Sequence, residues 1–251
     1  MRWPTTSYAR INPGIECKYC HSKNLGRSGK IGKDNQRYIC KDCKRTFVLH
    51  PWLDKRQKAN LEPSKALFHL YGSYMGDGTL DHRSFMVRLG VTELAFRDSF
   101  FLDLQMLGLH TFKWTQQPQA DHFGSRKPMH FACANSKTLY EWLLNEPEIP
   151  EEYYVDFLRG FYEAEGTNAV ETSGQLKIYN SDYALLELIQ RMLWGLGFAN
   201  AIRPTRTGEI NQKKWNLKSV KQTYELYLLN GKGSAIKFLK LINPCIKGLA
   251  S

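Results

Sequence analysis

Two carboxylates and four thiols stand in this chain in patterns that can do chemistry. The carboxylates are Asp77 and Glu165, each closing an apolar run that ends in acid-Gly-Thr: LYGSYMGDGT over residues 70–79 and LRGFYEAEGT over residues 158–167. The acids lie 88 positions apart, too far for one local structure, so they read as equivalent points of a repeated unit. If the two runs are helices that pair side by side, their C-terminal ends bring the acids together. That costs energy, because like charges repel and a helix C-terminus already disfavours negative charge. A hard divalent ion such as Mg²⁺ relieves the repulsion, takes carboxylate oxygens as ligands and accepts phosphate oxygens as further ones. In such a place it activates water and stabilises the leaving oxygen of a phosphodiester. The plainer reading is that each acid merely ends a core helix.

The thiols are Cys17 and Cys20, then Cys40 and Cys43, two C-x-x-C pairs with 19 residues between them. Two intervening residues let both sulfurs of a pair reach one ion from a tight turn, and four thiolates close a tetrahedral zinc site with no open position. The zinc is structural. A segment this small and this rich in Gly, Lys and Arg buries too little apolar surface to fold alone, so metal binding must supply its folding energy. His21 and His50 are spare ligand candidates beside a complete Cys set. Two disulfides are the rival reading, which requires an oxidising compartment. Arg27, Lys30, Lys33, Arg37, Lys44 and Arg45 surround the cysteines on short loops, a placement suited to phosphate contacts or to a merely solvated basic surface.

The elements that must position the acids follow from periodicity. After Ser64, a helix cap, residues Ala66, Leu67, Leu70, Tyr71 and Tyr74 recur at helical spacing up to Gly78, whose missing Cβ suits a C-terminal cap. A strand pair, a helix that stops at Gly108, two more extended pieces and a last helix ending near Asn145 complete the order α-β-β-α-β-β-α. The same order returns at nearly constant offset. Gly72, Gly78 and Thr79 match Gly160, Gly166 and Thr167, and Leu107-Gly108-Leu109 matches Leu196-Gly197-Phe198. Pro147 matches Pro244 at a larger offset, so the second copy carries a longer hairpin. The fold class is therefore α+β: two pseudo-symmetric halves, residues 64–150 and 151–251, behind a zinc ribbon over residues 1–50 and a linker over residues 51–63. Gly72 and Gly76, like Gly160 and Ala164, make a small-residue stripe along which two helices approach closely.

Charge points to the partner. Of the net +11, residues 1–60 carry +10, from 14 Lys+Arg against 4 Asp+Glu. A basic module on a near-neutral body fits attachment to a polyanion, most simply nucleic acid. Arg203, Arg206, Lys213, Lys214 and Lys218 in the longer hairpin, with Arg83, Arg88, Lys113, Gln117, Arg126, Lys127 and Lys177 on the other strands and loops, are the candidate DNA contacts. No apolar run reaches the ~18 residues of a membrane span, and the first residues lack a secretory apolar stretch, which implies an intracellular protein of cytoplasm or nucleoid, or of an organellar matrix. Cys133 and Cys245 are expected to be thiols in apolar surroundings, and His69 a packed helix residue.

Two resemblances extend this reading. The segment Asn35 to Phe47 resembles the zinc ribbon of insertion-sequence transposases, a DNA-binding accessory. Residues 70–78 and 158–166 resemble the motif of the LAGLIDADG homing endonucleases, in the single-chain class with two motifs. That resemblance implies two αββαββα halves with the motif helices at their interface and the sheets forming a saddle over the major groove of double-stranded DNA. It places Asp77 and Glu165 as the catalytic, Mg²⁺-binding acids, one per strand, with the backbone at Gly76 and Ala164 as further ligand candidates. It implies a monomeric endonuclease of a mobile genetic element with a long specific target. Met75 departs from the motif's earlier acid, whereas Glu163 keeps one. A non-cleaving DNA-binding regulator and an intron RNA maturase are the alternatives on the same fold.

Overall fold

The computed structural model describes residues 15–31, 35–48, 57–118, 127–169, 174–205 and 221–248. The chain divides into two compact units, residues 1–54 and 55–251.

In the first unit, strands β1 (Leu25–Ile31), β2 (Asn35–Cys40) and β3 (Thr46–Val48) form an antiparallel sheet in sequence order. Among the described residues its core is Leu25, Tyr38 and Phe47 around the buried Cys17 and Cys40, with the Tyr38 and Phe47 rings stacked at 5.8 Å. So small an apolar cluster leaves the cysteines as the main organising element.

The second unit is two copies of one motif. In the first, α1 (Lys65–Asp77) leads into β4 (Gly78–Asp81), β5 (Met86–Val91), α2 (Leu94–Met106), β6 (Thr111–Gln116), β7 (Met129–Asn135) and α3 (Lys137–Leu144). A 3₁₀ turn over Glu151–Tyr153 then starts α4 (Tyr154–Glu165), which leads into β8 (Gly166–Ala169), β9 (Gln175–Asn180), α5 (Tyr183–Gly195), β10 (Asn200–Pro204), β11 (Tyr224–Leu228) and α6 (Gly231–Ile242). Both sheets are antiparallel with the same strand order, β4-β5-β7-β6 and β8-β9-β11-β10. Alternation along β5, where Val87, Leu89 and Val91 are buried and Met86, Arg88 and Gly90 are not, gives the sheet a core face and an open face. One continuous core runs through both halves, from Leu89 and Phe100 to Ile178 and Phe238.

The axis of the unit is the pairing of α1 with α4, the most extensive contact between two helices among the described residues. Glycine makes it possible. A Cβ on Gly72 would sit 2.0 Å from the carbonyl oxygen of Phe157, and one on Gly160 would sit 2.1 Å from that of His69. Backbone rests on backbone at both places, and no side chain fits there. Gly78 and Gly166 are required for a different reason from the expected left-handed cap. Both are extended, with φ −76°, and a Cβ would strike the Tyr74 backbone or the Tyr162 ring. The glycines serve close packing, while each cap amide still donates back into its helix, to Tyr74 O and Tyr162 O.

Candidate functional site

The close approach of α1 and α4 determines what their ends do. A Cβ on Gly76 would lie 2.3 Å from the Cβ of Ala164 and 3.2 Å from Cγ of Glu165, so the last turns of the two helices touch. Asp77 and Glu165 end those turns, and Glu165 feels the Asp77 charge. Desolvation and then the Asp77 charge push the Glu165 carboxyl up to about 7, against the pull of Lys247. The Asp77 carboxyl reaches solvent, yet the protein behind it also raises its pKa, again opposed by Lys247. Two hard oxygen donors held together at a cost are the donor set a divalent ion relieves, and the residues fit one.

Support for the two acids is unequal. Asn180, on β9, donates from Nδ2 to Glu165 Oε1 at 3.1 Å. Lys247 lies in the tail after α6 and donates from Nζ to the carbonyl oxygens of Glu163 at 2.7 Å and Ala164 at 2.8 Å. The Ala164 carbonyl, a ligand candidate from sequence, thus already holds a cation's proton. The tail is fixed by two further bonds: the Cys245 amide donates to Glu163 Oε1 at 2.6 Å, and Tyr162 donates to the Lys247 carbonyl at 3.2 Å. Cys245 therefore sits against a carboxylate and not in the expected apolar surroundings, whereas Cys133 is buried as expected.

Behind Glu163 runs a buried ion network. His69 Nδ1 meets Asp103 Oδ2 at 2.5 Å and Nε2 meets Glu163 Oε2 at 2.9 Å, with all three residues buried. Burial alone would lower the His69 pKa, but its bonds to Asp103 and Glu163 raise it to about 9, so the ring is an imidazolium between two carboxylates. His69 is thus packed as expected, but as half of an ion network joining α1, α2 and α4. Periodicity missed Lys247, Asn180 and Asp103. The offset between the halves could have found Lys247, because Pro244-Cys245-Ile246-Lys247 aligns with Pro147-Glu148-Ile149-Pro150.

In the first unit the four cysteine sulfurs lie within 4.8 Å of one another, with Cys17 to Cys43 at 3.6 Å and Cys20 to Cys40 at 3.5 Å. A tetrahedral zinc with ~2.3 Å bonds sets sulfurs about 3.8 Å apart, so the donor set fits one ion. Each pair is followed by a residue in the left-handed region, His21 at φ 57° and Lys44 at φ 60°. The chain thereby turns and aims amides at sulfur, as in Cys43 N to Cys40 Sγ at 3.5 Å. That amide is the first cause that draws the Cys40 thiol down to about 6, towards the thiolate a metal needs. Asp42 ties the two turns together by accepting from Ser22 and from Asn24.

The basic candidates separate by environment. Arg27, Lys30 and Lys44 are exposed, Arg37 donates to the Ser28 carbonyl at 2.8 Å, and Arg45 covers the Tyr19 ring. On the first sheet, Arg88 lies over the Phe131 ring on the open face, where Phe112, Trp114 and Phe131 stack in series at 5.5 and 4.7 Å. Lys113 pairs with Ala132 on the core face and bonds Asp98 at 2.9 Å, so it does not project from the open face. Arg83, Gln117 and Lys127 are exposed near the loops. On the second sheet, Lys177 and Arg203 both bind Glu225, at 3.2 and 2.5 Å. Lys33, Arg126, Arg206, Lys213, Lys214 and Lys218 lie outside the described residues.

Paired motif helices flanked by two like sheets define the class: this is the LAGLIDADG fold in its single-chain form. Residues 152–243 match the LAGLIDADG-like domain family. Two uncharacterized proteins of Methanocaldococcus jannaschii are similar to the chain, one 29% identical over 202 residues (77% of this chain, 66% of the relative) and one 25% identical over 161 residues (58% and 60%). The chain spans less than two thirds of the length of either. Among solved structures, I-DmoI in complex with DNA and Mn has a TM-score of 0.51 at 19% identity, covering 71% of this chain and 96% of its own. DUF199/WhiA from Thermatoga maritima has a TM-score of 0.53 at 17% identity, covering 74% and 59%.

Proposed function

We propose that the chain is a site-specific double-strand DNA endonuclease in which Asp77 and Glu165 each serve one strand and hold Mg²⁺. The observation that carries this reading is the juxtaposition of the two acids by helices that touch backbone to backbone. A protein that only bound DNA would gain nothing from a carboxylate pushed up to about 7 by burial and then by the charge of a second acid. The similarity to I-DmoI, whose structure holds DNA and Mn, supports the same reading. A bound divalent ion supplies Lewis-acid activation of water and charge stabilisation at the leaving oxygen. The chain's own part is to hold Glu165 in place through Asn180, to temper the upward shift of both acids with the Lys247 charge beside them, and to present open sheet faces to the duplex. The zinc module adds a basic grip on phosphates.

Selection of cleaved duplexes from a randomised library with Mg²⁺ provides the target for the test. Asp77→Asn combined with Glu165→Gln is expected to abolish cutting while affinity for that duplex stays within about threefold, since no phosphate contact is removed. Full cutting by the double variant would end the proposal. Removing zinc is expected to unfold residues 1–50 and weaken DNA binding, with the melting of the body unchanged; equal affinity of the zinc-free protein would refute the module's role in DNA binding.

One observation favours a second reading, a DNA-binding protein that does not cut. Lys247 already places a cation beside the carboxylate pair. Tight binding of a selected duplex in Mg²⁺ with no nicking would decide for it.

A further inference from the structure

Lys247 stands where the repeat breaks. In the first half, the chain leaves α3 through Glu146 at φ 47°, followed by Pro147-Glu148-Ile149-Pro150; in the second, it leaves α6 through Asn243 at φ 44°, followed by Pro244-Cys245-Ile246-Lys247. Both segments turn back on a left-handed residue and drop an isoleucine onto the core, Ile149 and Ile246. The fourth position then differs in kind, a proline in one half and a lysine in the other. The residue that receives the segment differs too. Glu163 accepts the Cys245 amide, whereas the equivalent position on α1 is Met75, which has no carboxylate. A third difference falls on the strands, where Asn180 holds Glu165 and the equivalent of Asn180 is the buried Val91. All three polar residues lie on the second half's side of the carboxylate pair.

These bonds put the ammonium at the C-terminal end of α4, where the helix dipole favours a cation, and within the field of both acids. Burial draws the Lys247 pKa down, and Asp77 and Glu165 are the first charges that hold it up.

Resting on the reading of Asp77 and Glu165 as a divalent-ion site, we propose that Lys247 is that site's own resident cation. It occupies the Ala164 carbonyl and competes with a divalent ion on the second half's side, leaving the Gly76 carbonyl as the backbone ligand on the first half's side. Lys247 is a positioning residue: it acts on the acids and on α4, not on the reacting atoms. The two ends of the centre are therefore unequal despite the duplicated fold.

Mn²⁺ titration of the full-length, zinc-loaded protein, followed by electron paramagnetic resonance, separates this role from simple bracing of the helix end. Lys247→Met removes the charge and frees the Ala164 carbonyl, so Mn²⁺ is expected to bind about tenfold more tightly, a single charge's worth in a partly screened site. A brace would give the opposite sign, because a frayed helix end disorders Glu165 and weakens binding. Lys247→Gln keeps a donor for the carbonyls without the charge and is expected to tighten binding as well, which covers failure of the Met variant to fold. Lys247→Arg keeps the charge and should stay within about twofold of wild type. Unchanged or weaker binding in both neutral variants overturns the assignment of Lys247 alone. Mn²⁺ binding that Asp77→Asn does not weaken overturns the underlying metal-site reading instead.

Discussion

The two halves fold alike and fill the space beside their motif helices differently. In one place the chain sets Asp103, His69 and Glu163, three buried ionisable residues in hydrogen-bond contact. At the positions related to these by the repeat, each in the opposite half, stand Met192, Phe157 and Met75, all apolar. Where the charged network sits, the tail after α6 closes over it through the Cys245 amide. On the apolar side an open cleft of about 420 Å³ remains, lined by Tyr71, Met75, Ile149, Leu185 and Met192 among others. The same backbone thus accepts either solution. The polar one ties α2 of the first half to α4 of the second, and hence to Glu165 two residues beyond Glu163. Duplication supplied the frame, and the departures from symmetry decide what the centre can do.

The sharpest way to break the comparison is to remove the ion that holds the network. His69→Phe copies Phe157 but leaves Asp103 and Glu163 facing each other without a cation. The expected loss is about 3 kcal/mol, at the low end for a broken buried pair because the acids can take up protons. Copying the whole apolar side, with His69→Phe, Asp103→Met and Glu163→Met together, should return stability to within about 1 kcal/mol of wild type. Urea unfolding monitored by circular dichroism measures both, and a triple variant as unstable as the single one would mean that the halves are not interchangeable. The pH dependence adds a sign. The folded His69 value of about 9 lies above the ordinary 6.5, so the network's contribution is complete below 6.5 and is lost as pH rises through 9. His69→Phe should lack that alkaline loss.

Much of this frame was readable in the chain itself. Two acid-Gly-Thr runs, each with a small residue four before its acid-side glycine or alanine, are enough to pair α1 with α4, because only glycine permits the backbone contacts at Gly72 and Gly160. The C-x-x-C pairs specify their own geometry through ligand spacing. Periodicity could not reveal the charged network, since His69 and Asp103 occupy ordinary helix positions and their pairing depends on helices far apart in sequence. Lys247 was hidden for a related reason: it lies in an irregular tail, and its role appears only when the tail is laid against Pro147 to Pro150. Nor could alternation tell that Lys113 faces the helices, because an edge strand accepts a long charged side chain on either face.

A smaller effect sharpens the comparison at the acids. The Glu165 value of about 7 lies above the ordinary 4.5, so the stabilisation that protonation gives is complete below 4.5 and is lost as pH climbs through 7. Glu165→Gln removes that loss. In buffer without added divalent ions, the variant should match wild type near pH 4.5 and exceed it above pH 7 by on the order of 1 to 2 kcal/mol, after allowance for solvent screening. Mg²⁺ should restore the wild type and leave the variant unmoved, by mass action on the folded state. Melting curves at pH 5 and pH 8, each with and without Mg²⁺, test all of this. A variant no more stable than wild type at pH 8 would mean that the pair carries no such strain.

The weakest expected effect lies on the open sheet faces, where the halves again part. The first face offers Arg88 above stacked aromatics, with the guanidinium bonded only to Thr79 among the described hydrogen-bond partners. On the second, Lys177 and Arg203 share the buried Glu225 between them, and Arg203 also covers the Tyr227 ring. A cation already paired to a carboxylate releases little when it meets a phosphate, because its field is largely cancelled beforehand. Arg88→Ala should therefore weaken DNA binding by several-fold, whereas Arg203→Ala should change it by less than about twofold. Glu225→Gln carries the sharper sign. It frees two cations on one face, so affinity should rise by about threefold, and the dependence of log affinity on log salt should steepen by about one phosphate's worth. Salt titrations of all three variants on one duplex read the effect directly. An Arg203→Ala loss equal to that of Arg88→Ala would mean that Glu225 does not neutralise the second face, and that the two faces grip DNA alike.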